Sequence, residues 1–374
     1  MTKIYLDNAA TTPLRNEVVN TMIETLQNDF GNPSSTHSFG RSAKTIIETS
    51  RKTIAKYLVC QAQELLFTSS ATEATNWILR SAVKDLGVAK IITSSIEHHA
   101  TLYTIQSLEK EFNIEVVYIP ILPNGTLDYM VLEKEIETSS VKTLVSLMHV
   151  NNETGVILNI EQVGTWCANS KVLFHCDTVQ SIGKVSFDLQ SIPVDFIVAS
   201  AHKFHGPKGV GFAYIKKNIV LQPFIFGGEQ EKGLRAGTEA THQIAGMAKA
   251  LELAYIHLEH ERSYITMLKE YALEKLKTNF PEVKVNGSDT FYNILNVLLP
   301  FSEEKTAFIL FNLDIKGIAV SRGSACQSGS IKPSHVLEAF LSENDLKKPS
   351  LRISFSHYNT KEEIDLFIEA LQVI

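Results

Sequence analysis

Cysteine is scarce in this sequence, with four in 374 residues, at positions 60, 167, 176 and 326. They are too few and too scattered for a disulfide framework. None belongs to a C-x-x-C pair, which argues against a structural zinc site. Positive charge is not in excess: the formal net charge is -6, so the chain has no basic footprint for nucleic acid. It has no apolar run long enough to span a bilayer. The start, Met1-Thr-Lys-Ile-Tyr-Leu-Asp7, lacks the positive region and apolar core of a signal peptide. A cytoplasmic protein with no membrane partner is the expectation. Internal repeats and low-complexity tracts are missing too. What remains is ordinary soluble composition, 44% hydrophobic and 20% charged, in a chain long enough for a substantial core and two lobes.

Strand-like and helix-like segments alternate from about residue 40 to 260, the pattern of an α/β domain with a mostly parallel sheet. Short apolar runs predict strands over Glu64–Thr68, Lys90–Ser94, Glu115–Ile119, Thr143–Met148, Val172–Cys176, Asp195–Ser200 and Val210–Ile215. Continuous apolar strands are expected where helices cover both faces of a sheet. Helical spacing marks Ala71–Lys84 and Leu102–Phe112. Thr241 to about Thr278 reads as one long helix leading to a second lobe, with strands near Asn293–Leu299, Ile318–Ser321 and Leu351–Phe355. Ligands on parallel sheets gather at the carboxyl ends of the strands. Thr72, His98, Asn152, Asp177 and Ser200 all fall just after predicted strand ends, which points to one shared site.

Lys203 carries the chemistry. It follows an apolar strand in Val198-Ala-Ser-Ala-His-Lys-Phe-His-Gly-Pro-Lys-Gly209, a poor place for a lysine that only packs. A desolvated lysine amine has a lowered pKa and forms an imine with a carbonyl cofactor. Asp177 ends the strand before it; an ionised carboxylate there can keep a pyridine nitrogen protonated. Together they are what pyridoxal phosphate requires. Taken alone, Asp177 reads first as a helix N-cap after a strand, and only its pairing with Lys203 favours the functional reading. His98, in Ser95-Ile-Glu-His-His-Ala100, offers a flat ring for stacking or proton transfer, and periodicity does not separate it from His99. Thr72 begins a helix whose amide groups can cradle a phosphate, or it belongs to an ordinary cap. His175, Cys176, Asp177, His202 and His205 are metal-ligand types. On a strand, however, Cys176 points away from its two neighbours, and Lys203 between His202 and His205 would repel a cation. No metal is expected. Cys326 lies in Ser321-Arg-Gly-Ser-Ala-Cys-Gln-Ser-Gly-Ser330, a polar, glycine-punctuated stretch that should be exposed.

These residues, taken together, resemble the cysteine desulfurases of the NifS/IscS type, a branch of the class V aminotransferases. The resemblance runs nearly end to end, through Tyr5-Leu-Asp-Asn-Ala-Ala-Thr-Thr-Pro13, Phe30-Gly-Asn-Pro-Ser-Ser35, Ser70-Ala-Thr-Glu73, Glu97-His98, Met148-His-Val-Asn-Asn-Glu-Thr-Gly155, His175-Cys-Asp-Thr-Val-Gln-Ser181, Ser200-Ala-His-Lys203, Gly206-Pro-Lys-Gly209, Arg235-Ala-Gly-Thr238 and Gly323-Ser-Ala-Cys326. The Gly-Ser-Ala-Cys run is similar to the group I branch. The fold it implies is the fold-type I pyridoxal phosphate-dependent architecture: a large domain with a seven-stranded mostly parallel sheet and a smaller α/β C-terminal domain. Its implied boundaries are 1–15 for an N-terminal segment packing with the small domain, 16–260 for the large domain, and 261–374 for the small domain with the cysteine loop.

By matching position, the resemblance implies that Lys203 holds pyridoxal phosphate as an imine, with Asp177 on the pyridine nitrogen, Gln180 on the ring hydroxyl and His98 stacked on the ring. Ala71, Thr72, Ser200 and His202 would hold the phosphate, joined by Thr238 from the partner subunit of a homodimer. Asn152 and Arg352 would bind the substrate carboxylate. L-cysteine would be converted to alanine, with a persulfide left on Cys326 for a sulfur-acceptor protein such as an iron–sulfur scaffold, or for tRNA thiolation. A selenocysteine lyase or another enzyme of the class V aminotransferase fold is the alternative. Three departures from the family pattern leave the acceptor open: the chain ends soon after the helix predicted over 361–373, where housekeeping members carry a scaffold-docking tail; Arg322 and Gln327 replace more usual small hydroxyl residues; and Ser356-His357-Tyr358 differs from the usual Gly-Arg-Phe.

Overall fold

A computed structural model describes residues 3–323 and 334–374. Its strands, in chain order, are β1 (Ile4–Tyr5), β2 (Leu65–Thr68), β3 (Lys90–Ser94), β4 (Glu115–Ile119), β5 (Thr143–Met148), β6 (Leu173–Asp177), β7 (Phe196–Ser200), β8 (Gly211–Ile215), β9 (Lys284–Val285), β10 (Ile294–Leu298), β11 (Ile318–Ala319) and β12 (Ser350–Ser354). Strands β2 to β8 form one seven-stranded sheet in the order β2-β8-β7-β6-β5-β3-β4. Within it β8 runs antiparallel to both neighbours, and the remaining pairs are parallel. The family's expected fold class, a seven-stranded mostly parallel α/β sheet, is therefore the observed one.

Apart from the edge strand β4, the strands bury both faces, and their residues alternate between two apolar clusters as a two-residue period requires. Phe67, Ile92, Val145, Ile197, Ala199 and Phe212 point to one side, where they meet Ile47, Leu132, Val163 and Met247 from helices. Leu66, Ile91, Leu144, Phe196, Val198 and Ala213 point to the other, against Trp77, Ile78, Ile105 and Leu108. This two-sided burial explains the unbroken apolar strands in the sequence. The register pairs Met148 with Asp177 and Asp177 with Val198, so the polar residues that follow these strands come out along one edge.

A second core is built from Ile4, Leu6, Leu268, Leu276, Val297, Leu351 and Phe367. It underlies the antiparallel sheet β12-β10-β9. Strand β1 pairs in parallel with β11, Ile4 opposite Ile318, and so ties the first residues to the last third of the chain. The helix expected over 241–278 is two helices, Thr241–Ile256 and Leu258–Asn279, joined at His257 with φ -100 and ψ 6. Neither glycine nor proline marks that break in the sequence. Tertiary packing sets it: Leu251 belongs to the first cluster and Ile265 to the second, and one straight helix cannot serve both. Among the described residues, no helix is long and apolar enough to cross a membrane.

Candidate active site

The carboxyl edge of the large sheet opens into a cleft of about 230 Å³. Ala71, Thr72, His98, Asn152, Asp177, Gln180, Ser200, His202, Lys203 and Arg352 all line it. These residues are spread over more than 280 positions of chain: those from Ala71 to Lys203 meet where the strands of the large sheet end, and Arg352 comes in from the middle of β12 in the second sheet. Of the other two candidates, only one is described. Thr238 is exposed, on a loop outside the cleft, and Cys326 lies outside the described residues.

Each side chain is held by a local feature. Ser70, not Thr72, caps the helix Ala71–Lys84, its Oγ accepting from the Glu73 amide at 3.3 Å. Thr72 is thus left in the first turn, facing the cleft. Ser200 Oγ accepts from the Ala71 amide at 2.8 Å, joining β7 to that helix start. The approach demands glycine at 211, since a Cβ there would sit 3.0 Å from the Ser70 carbonyl carbon and 2.3 Å from the Ala199 oxygen. Asp177 closes a turn, Oδ1 accepting from the Val179 amide at 3.0 Å; no helix begins there. His98 caps the helix His99–Phe112, with Nδ1 accepting from the Ala100 amide at 3.1 Å. That bond places the proton of the neutral ring on Nε2.

Lys203 ends a short 3-10 turn, Ala201–Lys203, immediately after β7. Its Nζ donates to the carbonyls of Ala9 at 2.6 Å and Ala10 at 2.9 Å. The N-terminal segment therefore forms part of the cleft. Thr12 secures it, with its amide and hydroxyl both donating to the His202 carbonyl. Gln180 Nε2 donates to the same Ala9 carbonyl at 2.9 Å. At the far wall, Arg352 donates from Nη1 to the Asn152 carbonyl at 2.8 Å and from Nη2 to Asp7 at 2.7 Å. Asp7 also accepts from Ser321 Oγ at 2.9 Å.

Burial sets the electrostatics. Asp177 is raised to about 6 by desolvation, against the lowering effects of the Val179 amide and of Lys203. His98 is pushed down to about 4 by burial, then by Lys203 and His335; His202 falls to about 4 by burial and neighbouring lysines. Both imidazoles are neutral at physiological pH. Glu97, wholly buried behind the cleft, is raised to about 8 by desolvation, with Ser94 Oγ donating to it at 2.8 Å. Asp7, Glu97 and the carbonyls of Ala9 and Ala10 received no role from the sequence. The Tyr5–Pro13 and Glu97-His98 runs contain them, but strand-end logic has no purchase on a segment that enters the cleft from another part of the fold.

The donor set fits pyridoxal phosphate. A buried carboxylate stands available for a ring nitrogen, an amine for the aldehyde, a neutral imidazole for the ring face, and a 14-residue helix start with two hydroxyls for the phosphate. His175, by contrast, is fully buried, with Nδ1 on Ser146 at 2.9 Å. Among the described residues, no group of three or more metal-ligating side chains is found.

Comparison with known proteins agrees in kind. The family Aminotransferase class-V matches residues 4–367. A curated relative, cysteine desulfurase IscS of Dictyoglomus turgidum, is 39% identical over 100% of this chain and 94% of its own length. A solved NifS-like protein superimposes with a TM-score of 0.91 at 34% identity, covering 100% of this chain and 99% of that one. SspA, solved in complex with cysteine, gives 0.83 at 32% identity over 96% of this chain and 100% of that one.

Proposed function

The chain belongs to the class-V aminotransferase family, and from that premise we propose that it is a pyridoxal phosphate-dependent cysteine desulfurase. The observation that carries this reading is the meeting of Lys203, Asp177, His98, Ser200 and Arg352 on one cleft. Lys203 would hold the cofactor through Nζ, Asp177 its ring nitrogen, His98 its face, Gln180 its ring oxygen, and Ala71, Thr72, Ser200 and His202 its phosphate. When bound, pyridoxal phosphate supplies an electron sink for negative charge at the substrate α-carbon.

The protein's own residues do the rest. Arg352 is oriented by Asp7 and the Asn152 carbonyl, and its planar guanidinium matches the carboxylate of an amino acid. Lys203 Nζ takes the α-proton, standing between the Ala9 and Ala10 carbonyls that orient it. His98 stays neutral, so its ring can lie on a cationic heterocycle without repulsion. Cys326 Sγ receives the sulfur of L-cysteine as a persulfide, and alanine leaves. The described chain on either side of that residue is tied to residues of the cleft or next to it: Ser321 exchanges backbone hydrogen bonds with Arg352, and Ser334 Oγ donates to Glu153, beside Asn152.

We read the protein as a homodimer in which Thr238 completes the partner's phosphate site. In support, Thr238 is exposed and the nearby loop presents Val220 and Phe226 to solvent, a patch of the kind that marks interfaces. We divide the chain into a large domain over 16–260 and a small one over 261–374, with residues 1–15 joining the latter, in keeping with the second apolar core. The sulfur goes to a protein acceptor, such as an iron–sulfur scaffold, or to tRNA thiolation, in the cytoplasm.

The test is a visible spectrum of the purified protein before and after L-cysteine, then mass spectrometry of the Cys326 peptide for one added sulfur. Alanine and sulfide should form with dithiothreitol and without a keto acid. Cys326→Ser should keep the visible band and lose sulfide release. Turnover that depends on a keto acid, or persists in Cys326→Ser, would refute the assignment.

A further inference from the structure

A second lysine stands behind the cleft. Lys184 is 9% exposed. Its Nζ donates to the Gln180 backbone carbonyl at 3.0 Å and to Gln180 Oε1 at 3.4 Å. It lines a small cavity of about 30 Å³ with Asn8, Arg15, His205, Glu261 and Tyr292, a lining that shares no residue with that of the cleft. The charged group that acts on it is another cation, Lys203. A buried ammonium held by neutral oxygens is costly to keep; packing alone would favour a methionine here.

The contacts of Gln180 explain what Lys184 does. An ammonium can only donate and a peptide carbonyl can only accept. With Lys184 on one side and the Ala9 carbonyl on the other, the amide has one consistent orientation: oxygen toward Lys184, nitrogen toward Ala9 and the cleft. The second N–H of that nitrogen is then available to an oxygen on a bound ring. A cation on the amide oxygen polarises the group and strengthens its N–H as a donor. The same cation opposes a further positive charge at Lys203.

We propose that Lys184 is a positioning residue that, through the Gln180 amide and its closeness to Lys203, keeps the cofactor-bearing nitrogen of Lys203 from being protonated too readily. The inference rests on the reading of the cleft as a pyridoxal phosphate site. Among the groups that bear on Lys203, Asp177 favours its positive charge, Lys184 opposes it, and His98 and His202 are held neutral. Around Lys184 itself stand Lys203, His202 and His205, with the paired Arg15 and Glu261 across the small cavity. Burial and Lys203 lower Lys184 to about 7, so its own charge is in play near neutrality.

The test is a pH titration of the visible absorption of the purified holoenzyme, for wild type, Lys184→Met, Lys184→Gln and Lys184→Arg, with cofactor content and Tm measured on each. Removing the cation should raise the titration midpoint by about one pH unit, or about tenfold in proton affinity. Lys184→Arg should restore it to within a few tenths of a unit. A midpoint that does not move in a loaded Met or Gln variant overturns the proposal. If both neutral variants lose the cofactor while Lys184→Arg keeps it, the charge is still what matters, and the assignment holds. If all three lose it, packing explains the lysine and the assignment fails. A wild-type protein with no visible band would refute the proposed function itself.

Discussion

Replacing Arg352 separates its two roles, holding the fold and holding the substrate. The guanidinium is 1% exposed and its partner Asp7 15%, with 2.7 Å between them. Arg352→Met leaves the part-buried Asp7 carboxylate with the Ser321 hydroxyl but without its ion-pair partner, a loss of about 2 kcal/mol in stability. It also removes the paired charge-assisted contacts to the substrate carboxylate, about 3 kcal/mol more at the transition state, or roughly a hundredfold in kcat/KM. The double variant Asp7→Leu/Arg352→Met replaces both charges by apolar groups and should recover most of the stability, measured by denaturant unfolding. It should recover none of the activity toward L-cysteine. Cysteamine, which lacks the carboxylate, should give the same kcat/KM with wild type and both variants. A double variant that regains kcat/KM, or an Arg352→Met enzyme within about threefold of wild type on L-cysteine, would remove Arg352 from substrate recognition.

Lys203→Ala should abolish the absorption of lysine-bound cofactor and exchange of the substrate α-proton with solvent, followed by NMR in deuterium oxide; an unchanged spectrum would dismiss the residue. Asp177 sets a pH limit on cofactor capture. Burial raises it to about 6 in the cofactor-free protein, and the carboxylate must be ionised to hold a ring proton. Pyridoxal phosphate affinity should therefore be full above about 6 and fall as pH drops through it. Asp177→Asn should bind more weakly with that step missing; fluorescence titration from pH 5 to 8 decides, and a step surviving in the asparagine variant belongs to another group.

Most strands were legible because both faces of the sheet are dry. Runs such as Phe196–Ser200 then have no polar position before their last residue to confuse with a loop. The same dryness made the site legible, since polar residues at 177, 200 and 203 stand out at once against apolar neighbours. What escaped was whatever depends on distant chain. Asp7 pairs with Arg352 from 345 positions away, and the Ala9 and Ala10 carbonyls reach Lys203 from more than 190. A backbone carbonyl has no sequence signature at all. The break at His257 escaped for a related reason: local propensity continues through it, and the two apolar cores, not the residue, decide where the helix turns.

Perturbed ionisation by itself does not locate this site. His149 and His175 are as strongly depressed as His98, to about 4 and about 3, yet neither lines the cleft. His149 rests on Ser181 at 2.9 Å and edge-on to Phe187, and His175 on Ser146; their neutrality is the ordinary consequence of burial with a hydroxyl partner. What distinguishes His98, Asp177 and Lys203 is that each comes at or just beyond a strand end, is anchored by a backbone amide or carbonyl, and still borders open volume. A group fixed on one side and exposed to a cleft on the other is organised for a ligand before one arrives, so little conformational entropy remains to be lost on binding. Lys184 meets the first condition and not the second, which is why it acts through Gln180 and on the charge of Lys203 rather than on a ligand directly.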